Sequence, residues 1–360
     1  MAAGPNQQLL LLCVQPPSAK VDEMPLPTRK VGNSDVTAIG YGAMGIAAFY
    51  GKPMPDEERF KVLDAVYENG CTFWDTADRY ADSEELIGKW FKRTGKRSEI
   101  FLATKFGIVE NAERTINGTP EYAVQALDAS LKRLNTDYVD LWYLHRADPL
   151  VPIELTVRAM AEQVKAGKVK YLGLSEVSES TLRRAHAVHP ISAIEVEYSP
   201  FTLDIEDPKV GLLKAARELG VTVVAYAPLG RGLITGKYKG PEDFEEGDFR
   251  RQVPRYSKEN FPNILKIAEG LQKLGEKYNA TAGQISLAWI LAQGEDIIPI
   301  PGTTKIPNLK ENLDAAKIKL TPEDVQEVRM IANAADAAKG PRYPARLFAV
   351  LYADTPALQE

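Results

Sequence analysis

Short apolar segments alternate with helical patterns along almost the whole chain, and this alternation is the feature that most constrains the fold. The apolar segments lie near residues 38, 72, 102, 141, 172, 194, 223 and 298. Each is typical of a strand buried on both faces, and each is followed by a helical pattern, as in a parallel sheet covered by helices. Eight such units predict a closed (β/α)8 barrel, the TIM-barrel fold. A doubly wound open sheet is the alternative, because alternation alone does not distinguish the two folds.

The sequence contains two more helical patterns than predicted strands. Apolar spacing, prolines at first turns and glycines after last turns predict helices over 55–69, 83–92, 119–134, 152–166, 179–188, 208–219, 264–278, 282–293, 308–315 and 322–332. A long connection rich in glycine, proline and aromatic residues, 231–262, follows the seventh strand. The predicted barrel therefore carries one long loop and two extra helices.

No linker divides the chain, so we predict one barrel domain over residues 25–335 that begins with a β-hairpin turning at 32–35. Residues 1–24 are predicted to be a disordered or loosely ordered N-terminal extension. Residues 336–360 include "GPRYPARLFAVLYADTPALQE", which is richer in aromatic residues than a solvated tail. We expect this C-terminal segment to fold over the barrel mouth and to line a substrate pocket there.

Charge and cysteine usage limit the partners and the compartment. The 44 basic and 49 acidic residues give a net charge of −5 without long runs of one sign, so no basic stripe indicates a nucleic-acid partner. Two cysteines, Cys13 and Cys71, cannot form a disulfide framework and favour a reducing, cytoplasmic setting. The apolar run at 9–14 is too short to span a bilayer, and a cleaved leader is the less favoured interpretation because no basic residue precedes it.

The stretch "AIGYGAMG" places Gly40, Gly42 and Gly45 at the spacing of a dinucleotide-binding turn. Such a turn needs a helix to begin at the third glycine, so that the helix N-terminus meets the pyrophosphate. Here Pro53 and Pro55 delay the helix by about ten residues. The pattern therefore does not indicate a Rossmann turn, and the glycines are better explained by close backbone approach.

Four polar residues follow the second, third and fourth predicted strands: Asp75, Tyr80, Lys105 and His145. Taken singly, each has a structural explanation, as a helix cap, packing, a solvated strand end or a core histidine. Together they form a set suited to protonating an oxygen at the carboxyl-terminal face of a barrel. A nearby ammonium lowers the pKa of a phenol, a carboxylate holds the lysine, and a neutral histidine orients a carbonyl. The set supplies an acid but no hydride.

At these residues the sequence resembles the aldo-keto reductase family, over about residues 26–332. The motifs that carry the resemblance are "DTADRY" at 75–80, "TK" at 104–105, "LHR" at 144–146, "GLSE" at 173–176, "EVEYSP" at 195–200, "AYAPLGRGLITGKY" at 225–238 and "PIPGTTKIPNLKEN" at 299–312. It is most similar to the long-loop branch that includes pyridoxal reductases and potassium-channel β subunits. The resemblance implies reversible reduction of an aldehyde or ketone, with Tyr80 as the general acid and NADPH as the hydride donor.

The resemblance also implies which residues hold NADPH across the barrel mouth. By position these are Ser175, Glu176, Glu195, Tyr226, Ala227, Pro228, Leu229, Gly230, Lys237, Gly302, Thr304, Lys305, Asn308, Glu311 and Asn312. Relatives often have Asn or Gln where this chain has Glu176 and Glu195, and a carboxylate cannot donate to the nicotinamide carbonyl. Asn308 stands where many relatives have arginine, which leaves the preference for NADPH over NADH open. Arg250 or Arg251 is expected either to clamp a phosphate or to be solvated.

A second class of function also fits the resemblance. Channel β subunits of this branch suggest a regulatory module that binds nicotinamide nucleotides and senses their redox state. His145 distinguishes an enzyme from such a regulatory module, since the channel-subunit pattern carries asparagine at this position. The complete set of Asp75, Tyr80, Lys105 and His145 favours an enzyme. No spacing of histidines and cysteines predicts a metal site. Neither the carbonyl substrate nor the oligomeric state follows from the sequence.

Overall fold

Eight parallel strands form one sheet in the computed structural model, which describes residues 1, 25–109 and 115–359. They are β3 (Tyr41–Gly42), β4 (Phe73–Asp75), β5 (Phe101–Phe106), β6 (Val139–Leu144), β7 (Val169–Ser175), β8 (Ile191–Glu197), β9 (Thr222–Tyr226) and β10 (Ile297–Pro299). Neighbours in the sheet are neighbours in the chain from β3 to β10, and every pair is parallel. This order excludes the doubly wound sheet, in which the strand order reverses.

The first and last strands approach closely enough to close the sheet into a barrel. The amide of Gly40 donates to the carbonyl of Pro299 at 2.9 Å, and the amide of Gly42 donates to Pro301 at 3.3 Å. A Cβ on Gly42 would lie 2.7 Å from the carbonyl oxygen of Ile300, so only glycine fits this seam. Gly40 and Gly42 therefore serve the closure of the barrel, whereas Gly45 packs beside Tyr50. The prediction of a (β/α)8 barrel is confirmed.

A hairpin of β1 (Thr28–Val31) and β2 (Ser34–Thr37) covers the amino-terminal end of the barrel. Its buried Val31 and Val36 belong to the cluster that fills the barrel interior. The strands contribute the rest of this cluster: Phe73, Ala103, Leu141, Tyr143, Ala193, Val224 and Ile298, with Ile300 beyond β10. Since the amino-terminal end is plugged, the open carboxyl-terminal face is left for a site.

Helices surround the barrel at bounds close to those predicted. They are α1 (Met44–Ala47), α2 (Asp56–Glu68), α3 (Ser83–Thr94), α4 (Pro120–Leu134), α5 (Ile153–Lys165), α6 (Glu179–Val188), α7 (Leu212–Leu219), α8 (Phe261–Gly275), α9 (Ala282–Leu291), α10 (Ile306–Asp314), α11 (Pro322–Ala335) and α12 (Ala345–Phe348). The predicted start of α7 at residue 208 is wrong, because Gly211 adopts a φ of 64° just before the helix. The single turn α1 and the C-terminal α12 were not predicted.

The predicted extension over residues 1–24 lies outside the described residues, apart from Met1. The long connection after β9 contains four short 3-10 segments: Gly230–Thr235, Pro241–Asp243, Phe249–Gln252 and Pro254–Tyr256. Within the described part of the chain, no helix combines the length and apolar character that crossing a membrane requires.

Candidate active site

The four residues singled out in the sequence lie together at the carboxyl-terminal face of the barrel. Asp75 ends β4, Lys105 is the penultimate residue of β5, and His145 directly follows β6. Tyr80 lies in the loop between β4 and α3. Parallel strands bring these positions to one end of the sheet, where the Lys105 Nζ contacts Asp75 Oδ1 and lies 5.0 Å from the centre of the Tyr80 ring. The rings of Tyr80 and His145 meet edge to face at 5.8 Å.

Lys105 is fully buried and positively charged. Burial alone would lower its pKa, but the carboxyl groups of Asp75 and Glu195 outweigh burial and raise the pKa above its usual value. The Nζ also donates to the backbone carbonyl of Thr76 at 2.9 Å. The ammonium is therefore fixed in place by groups from β4, β8 and the loop after β4.

Tyr80 keeps its proton more tightly than an exposed tyrosine. Burial raises the pKa of its phenol, and the Lys105 ammonium opposes that rise only in part. Lys105 acts on the phenol pKa in the direction expected from the sequence, but the loss of solvent around Tyr80 has the larger effect. The phenol is thus a protonated donor, and the ammonium is placed to stabilise the phenolate once the proton has left.

His145 is electrically neutral in this site. Burial and the positive charges of Arg146 and Lys105 hold its pKa well below the usual range. Its Nδ1 is buried and has no hydrogen-bond partner among the described residues. An unsatisfied ring nitrogen next to Tyr80 is suited to bind a ligand oxygen or its proton.

The strand ends on the other side of the mouth carry the residues expected to meet a nicotinamide. Ser175 accepts a hydrogen bond from Arg146 at 3.1 Å. Glu176 turns toward the C-terminal segment and accepts from Arg342 at 2.6 and 3.0 Å. Burial would raise the pKa of Glu176, but Arg342 outweighs it and keeps the carboxyl ionised. Tyr226 donates to the same carboxylate at 2.7 Å.

Glu195 does not share this environment. Its Oε2 lies 3.3 Å from the Nζ of Lys105. The two glutamates expected to depart from the relatives' pattern therefore have different partners: Arg342 of the C-terminal segment for Glu176, and Lys105 for Glu195.

The loop after β9 packs on the start of α9. Ser286 donates to the carbonyl of Pro228 at 2.8 Å, and Thr281 donates to Glu311 at 2.6 Å. Leu229 lies beside Gly283, and Ala227 adopts a φ of 47° where the strand gives way to the loop. The structure thus brings residues 227–230 and Glu311 to one wall of the mouth.

The stretch expected to bind an anion lies directly before α10. Lys305 is exposed at the N-cap, and its side chain makes no capping hydrogen bond to the helix, while its own backbone N–H donates to the Thr303 hydroxyl at 3.1 Å. The first turn of such a helix has free N–H groups and a partial positive charge. Gly302 and Thr304 precede it, exposed Asn308 lies in its first turn, and Asn312 is buried further along.

Of the cations in the long connection, Lys237 is exposed beside Tyr238. Arg250 is paired with Asp248, and Arg251 donates to the carbonyl of Phe244 at 2.6 Å. Arg250 is buried and does not match the expectation of a solvated side chain, whereas Arg251 is exposed and does.

The C-terminal segment, residues 337–359, crosses the same face. Arg342, 1% exposed, contacts Glu176, Glu197 and Asp204, and Tyr343 lies 3.0 Å from the hydroxyl of Tyr226. Sequence reasoning did not single out Arg342. The sequence shows only an arginine in an aromatic-rich tail. Its carboxylate partners lie more than a hundred residues away in the chain, so the sequence does not predict them.

Comparison with known proteins agrees with this geometry. The aldo/keto reductase family matches residues 38–333. The chain is 62% identical to the aldo-keto reductase str7 of Strobilurus tenacellus, over 86% of this chain and 93% of that protein. It is 51% identical to the NADP(+) aldo-keto reductase yakc of Schizosaccharomyces pombe, over 92% and 99%.

Two solved structures are also similar. One is the thermostable aldo-keto reductase Tm1743 with the inhibitor epalrestat, at 30% identity and a TM-score of 0.69, covering 85% of this chain and 100% of that one. The other is the glycerol dehydrogenase AKR11B4 from Gluconobacter oxydans, at 26% identity and a TM-score of 0.77, covering 86% and 96%.

Proposed function

This chain belongs to the aldo/keto reductase family, and from that premise we propose that it is an NADPH-dependent oxidoreductase that reduces an aldehyde or ketone to the alcohol. The observation that carries the proposal is the contact of Lys105 with both Asp75 and the ring of Tyr80 at the open end of the barrel. A relative that is named for NADP(+) and 51% identical supports the cofactor.

The residues at the mouth fit such a dinucleotide. The uncapped start of α10 and Lys305 suit a phosphate group, and Ser175 and Tyr226 lie where a nicotinamide would reach the catalytic set. Bound NADPH supplies the hydride for the carbonyl carbon. The cofactor contacts named by position in the sequence, from Ser175 to Asn312, are part of this proposal.

The chain's own residues handle the proton and the carbonyl oxygen. Tyr80 donates its phenolic proton to the oxygen as negative charge develops there. Lys105 stabilises the phenolate that remains, and Asp75 holds the ammonium in position. Neutral His145 orients the carbonyl by a hydrogen bond. A charged imidazolium could make the same bond, but it would place a second buried cation beside Lys105.

We extend the proposal to the substrate pocket and the cell compartment. Residues 336–360 would line the pocket, since Arg342 and Tyr343 already contact the strand ends there. A cytoplasmic location rests on the cysteine usage, with Cys71 buried and unpaired in the described chain. The motifs of this sequence resemble those of the branch that includes pyridoxal reductases, so pyridoxal and aromatic aldehydes are the first substrates to assay. A regulatory, non-catalytic role is less well supported, because the relatives reported above are named as reductases or a dehydrogenase.

Replacing Tyr80 by phenylalanine tests the assignment of the acid. We expect Tyr80→Phe to lower kcat roughly 10²–10⁴-fold, the usual contribution of a general acid, while NADPH still binds. The measurements are NADPH oxidation with a panel of aldehydes and a fluorescence titration of NADPH binding.

Tyr143→Phe is the matched control, because the Tyr143 ring lies 5.7 Å from the same ammonium and its buried hydroxyl has no hydrogen-bond partner in the described structure. This control is expected to retain turnover. Full turnover in Tyr80→Phe would remove Tyr80 from its role.

A further inference from the structure

The ammonium of Lys105 lies between two buried carboxyl groups. Asp75 contacts it from β4, and Glu195 reaches it from β8 with Oε2 at 3.3 Å. The side chains are 0% exposed for Lys105, 2% for Asp75 and 4% for Glu195. One cation therefore faces two carboxyl groups in the interior of the barrel.

Charge balance argues against two carboxylates at this position. A second negative charge without a cation of its own is costly to bury, and two neighbouring carboxylates do not both ionise readily. Asp75 Oδ2 and Glu195 Oε2 are buried and accept no hydrogen bond from a described residue, although Glu195 Oε2 lies 3.3 Å from the Lys105 ammonium. A proton on one of them would allow a bond between the two, so the geometry favours a pair that holds one proton.

Glu195 is the better holder of that proton. Burial and the nearby Asp75 raise its pKa well above the usual range, and Lys105 opposes this only in part. The groups that face Glu195 from the surrounding elements are Asp75 on β4, Tyr80 after β4, Lys105 on β5 and Tyr143 on β6. The two phenols are neutral, so Lys105 is the one cation in this set.

We propose that Glu195 stores the proton that restores Tyr80 after each reduction. When Tyr80 has given its proton to the carbonyl oxygen, an O–H bond must form again on its phenolate. Lys105 transfers a proton from Nζ to that phenolate, and Glu195 transfers its carboxyl proton to Lys105. The O–H bond of Glu195 is broken and that of Tyr80 is restored, so the lysine ends unchanged and Glu195 ends as a carboxylate. A proton from solvent returns to Glu195 when the oxidised nucleotide leaves, before the next reduction.

This inference rests on the proposed function, and it explains why a glutamate can replace an amide at this position. A protonated carboxyl resembles an amide in having one donor and one acceptor, but it can also release a proton. The carboxylate left on Glu195 would balance the positive charge of the oxidised nicotinamide. Reduced nicotinamide is neutral, so it does not stabilise the ionised form of Glu195.

Proton counting on nucleotide binding tests the proposal without turnover. In weakly buffered indicator solution near neutral pH, we expect NADP+ to release up to about one proton per site from the wild-type protein, and NADPH to release none beyond the contribution of its phosphates. NADPH carries the same phosphates as NADP+, so the difference in the number of protons released on binding the two nucleotides reports the effect of the nicotinamide charge alone. Glu195→Gln is expected to lose the difference.

Glu154→Gln is the matched control, since Glu154 lies on α5 outside the proposed cofactor contacts. Hydrogen bonds from Arg184 hold the pKa of Glu154 below its usual value, so this variant should leave the NADP+ difference in place. If Glu195→Gln does not fold, infrared difference spectra of the wild type decide the question, because NADP+ should remove a protonated-carboxyl band that NADPH leaves intact. An equal proton release in wild type and Glu195→Gln, or an unchanged band, would overturn the inference. Absence of nucleotide binding or carbonyl reduction would instead overturn the proposed function.

Discussion

Carboxyl groups near the barrel mouth differ in charge because their neighbours differ, even where they are close in sequence. Asp82 is bonded by Arg59, whose hydrogen bonds hold the pKa of this carboxyl below its usual value. Asp78, four residues earlier, has a buried Oδ1 without a hydrogen-bond partner among the described residues. Burial and the nearby Glu84 raise the pKa of Asp78 to about 7. One loop therefore contains a carboxylate that stabilises the fold and another whose ionisation opposes it.

The raised pKa of Asp78 predicts a loss of stability with rising pH. In the unfolded chain its pKa is near 4, so the native state binds more protons between that value and about 7. The stabilisation is complete below the unfolded pKa and is lost as the pH rises through the folded one. We expect Asp78→Asn, measured by urea unfolding, to gain about 2–3 kcal/mol relative to wild type between pH 5 and pH 8.5, at 1.36 kcal/mol per pKa unit.

Asp82→Asn provides the control of opposite sign. A depressed pKa gives stabilisation that is present above the unfolded value and lost only in acid, so this variant should differ from wild type by a constant amount over the same pH range. An Asp78→Asn protein with the same pH dependence as wild type would contradict the raised pKa.

The C-terminal segment is attached to the barrel through two arginines, Arg342 of its own sequence and Arg184 of α6. Arg342 joins its start to Glu176 and Glu197 at the strand ends. Arg184, on α6, donates to the carbonyls of Thr355 and Pro356 near the other end. The first contact lies at the site and the second lies on the outer layer of helices, so the two can be separated by mutation.

Arg342→Met should change substrate preference, because it removes the ion-pair partner of Glu176 and releases the segment from the mouth, while Glu197 keeps Arg231. We expect faster limited proteolysis within 337–359 and a changed ratio of kcat/KM between bulky and small aldehydes. Arg184→Met is expected to increase proteolysis near the terminus while leaving that ratio unchanged. Unaltered substrate preference in Arg342→Met would separate this segment from the substrate pocket.

The strands, helices and site positions of the barrel that depend on local sequence patterns were predicted from the sequence. Strands such as β6 and helices such as α6 follow from apolar runs and their flanking residues, and the four catalytic candidates follow from their place after consecutive strands. The start of α7 was missed because Gly211, in a left-handed conformation, delays the helix.

The partners of charged side chains were harder to predict than their positions. Arg342 and Glu176 are 166 residues apart, and no local rule relates them. Glu195 was expected to meet the nicotinamide, yet its nearest cation is Lys105 across the barrel. Which way a strand-end side chain turns depends on the charges that closure of the barrel brings together, and these become known only from the tertiary structure.

Closure itself can be tested at the seam between β3 and β10. A Cβ on Gly302 would lie 2.5 Å from the carbonyl oxygen of Gly42, and a backbone oxygen cannot rotate away as a side chain can. We expect Gly302→Ala to lower the free energy of unfolding by roughly 1–3 kcal/mol, as overpacking usually does. It should also weaken NADPH binding, because the displaced backbone leads directly into the start of α10.

Gly283→Ala separates crowding from the general effect of replacing glycine. Its added Cβ would meet neighbours at 3.6 Å or more, which is ordinary contact, so stability should be unchanged or slightly increased in this helix. Denaturant unfolding of both variants and NADPH titration of Gly302→Ala are the measurements. Wild-type stability and wild-type NADPH affinity in Gly302→Ala would contradict this prediction. The seam could then widen freely, and the backbone contact between the first and last strands would not position the phosphate end of the site.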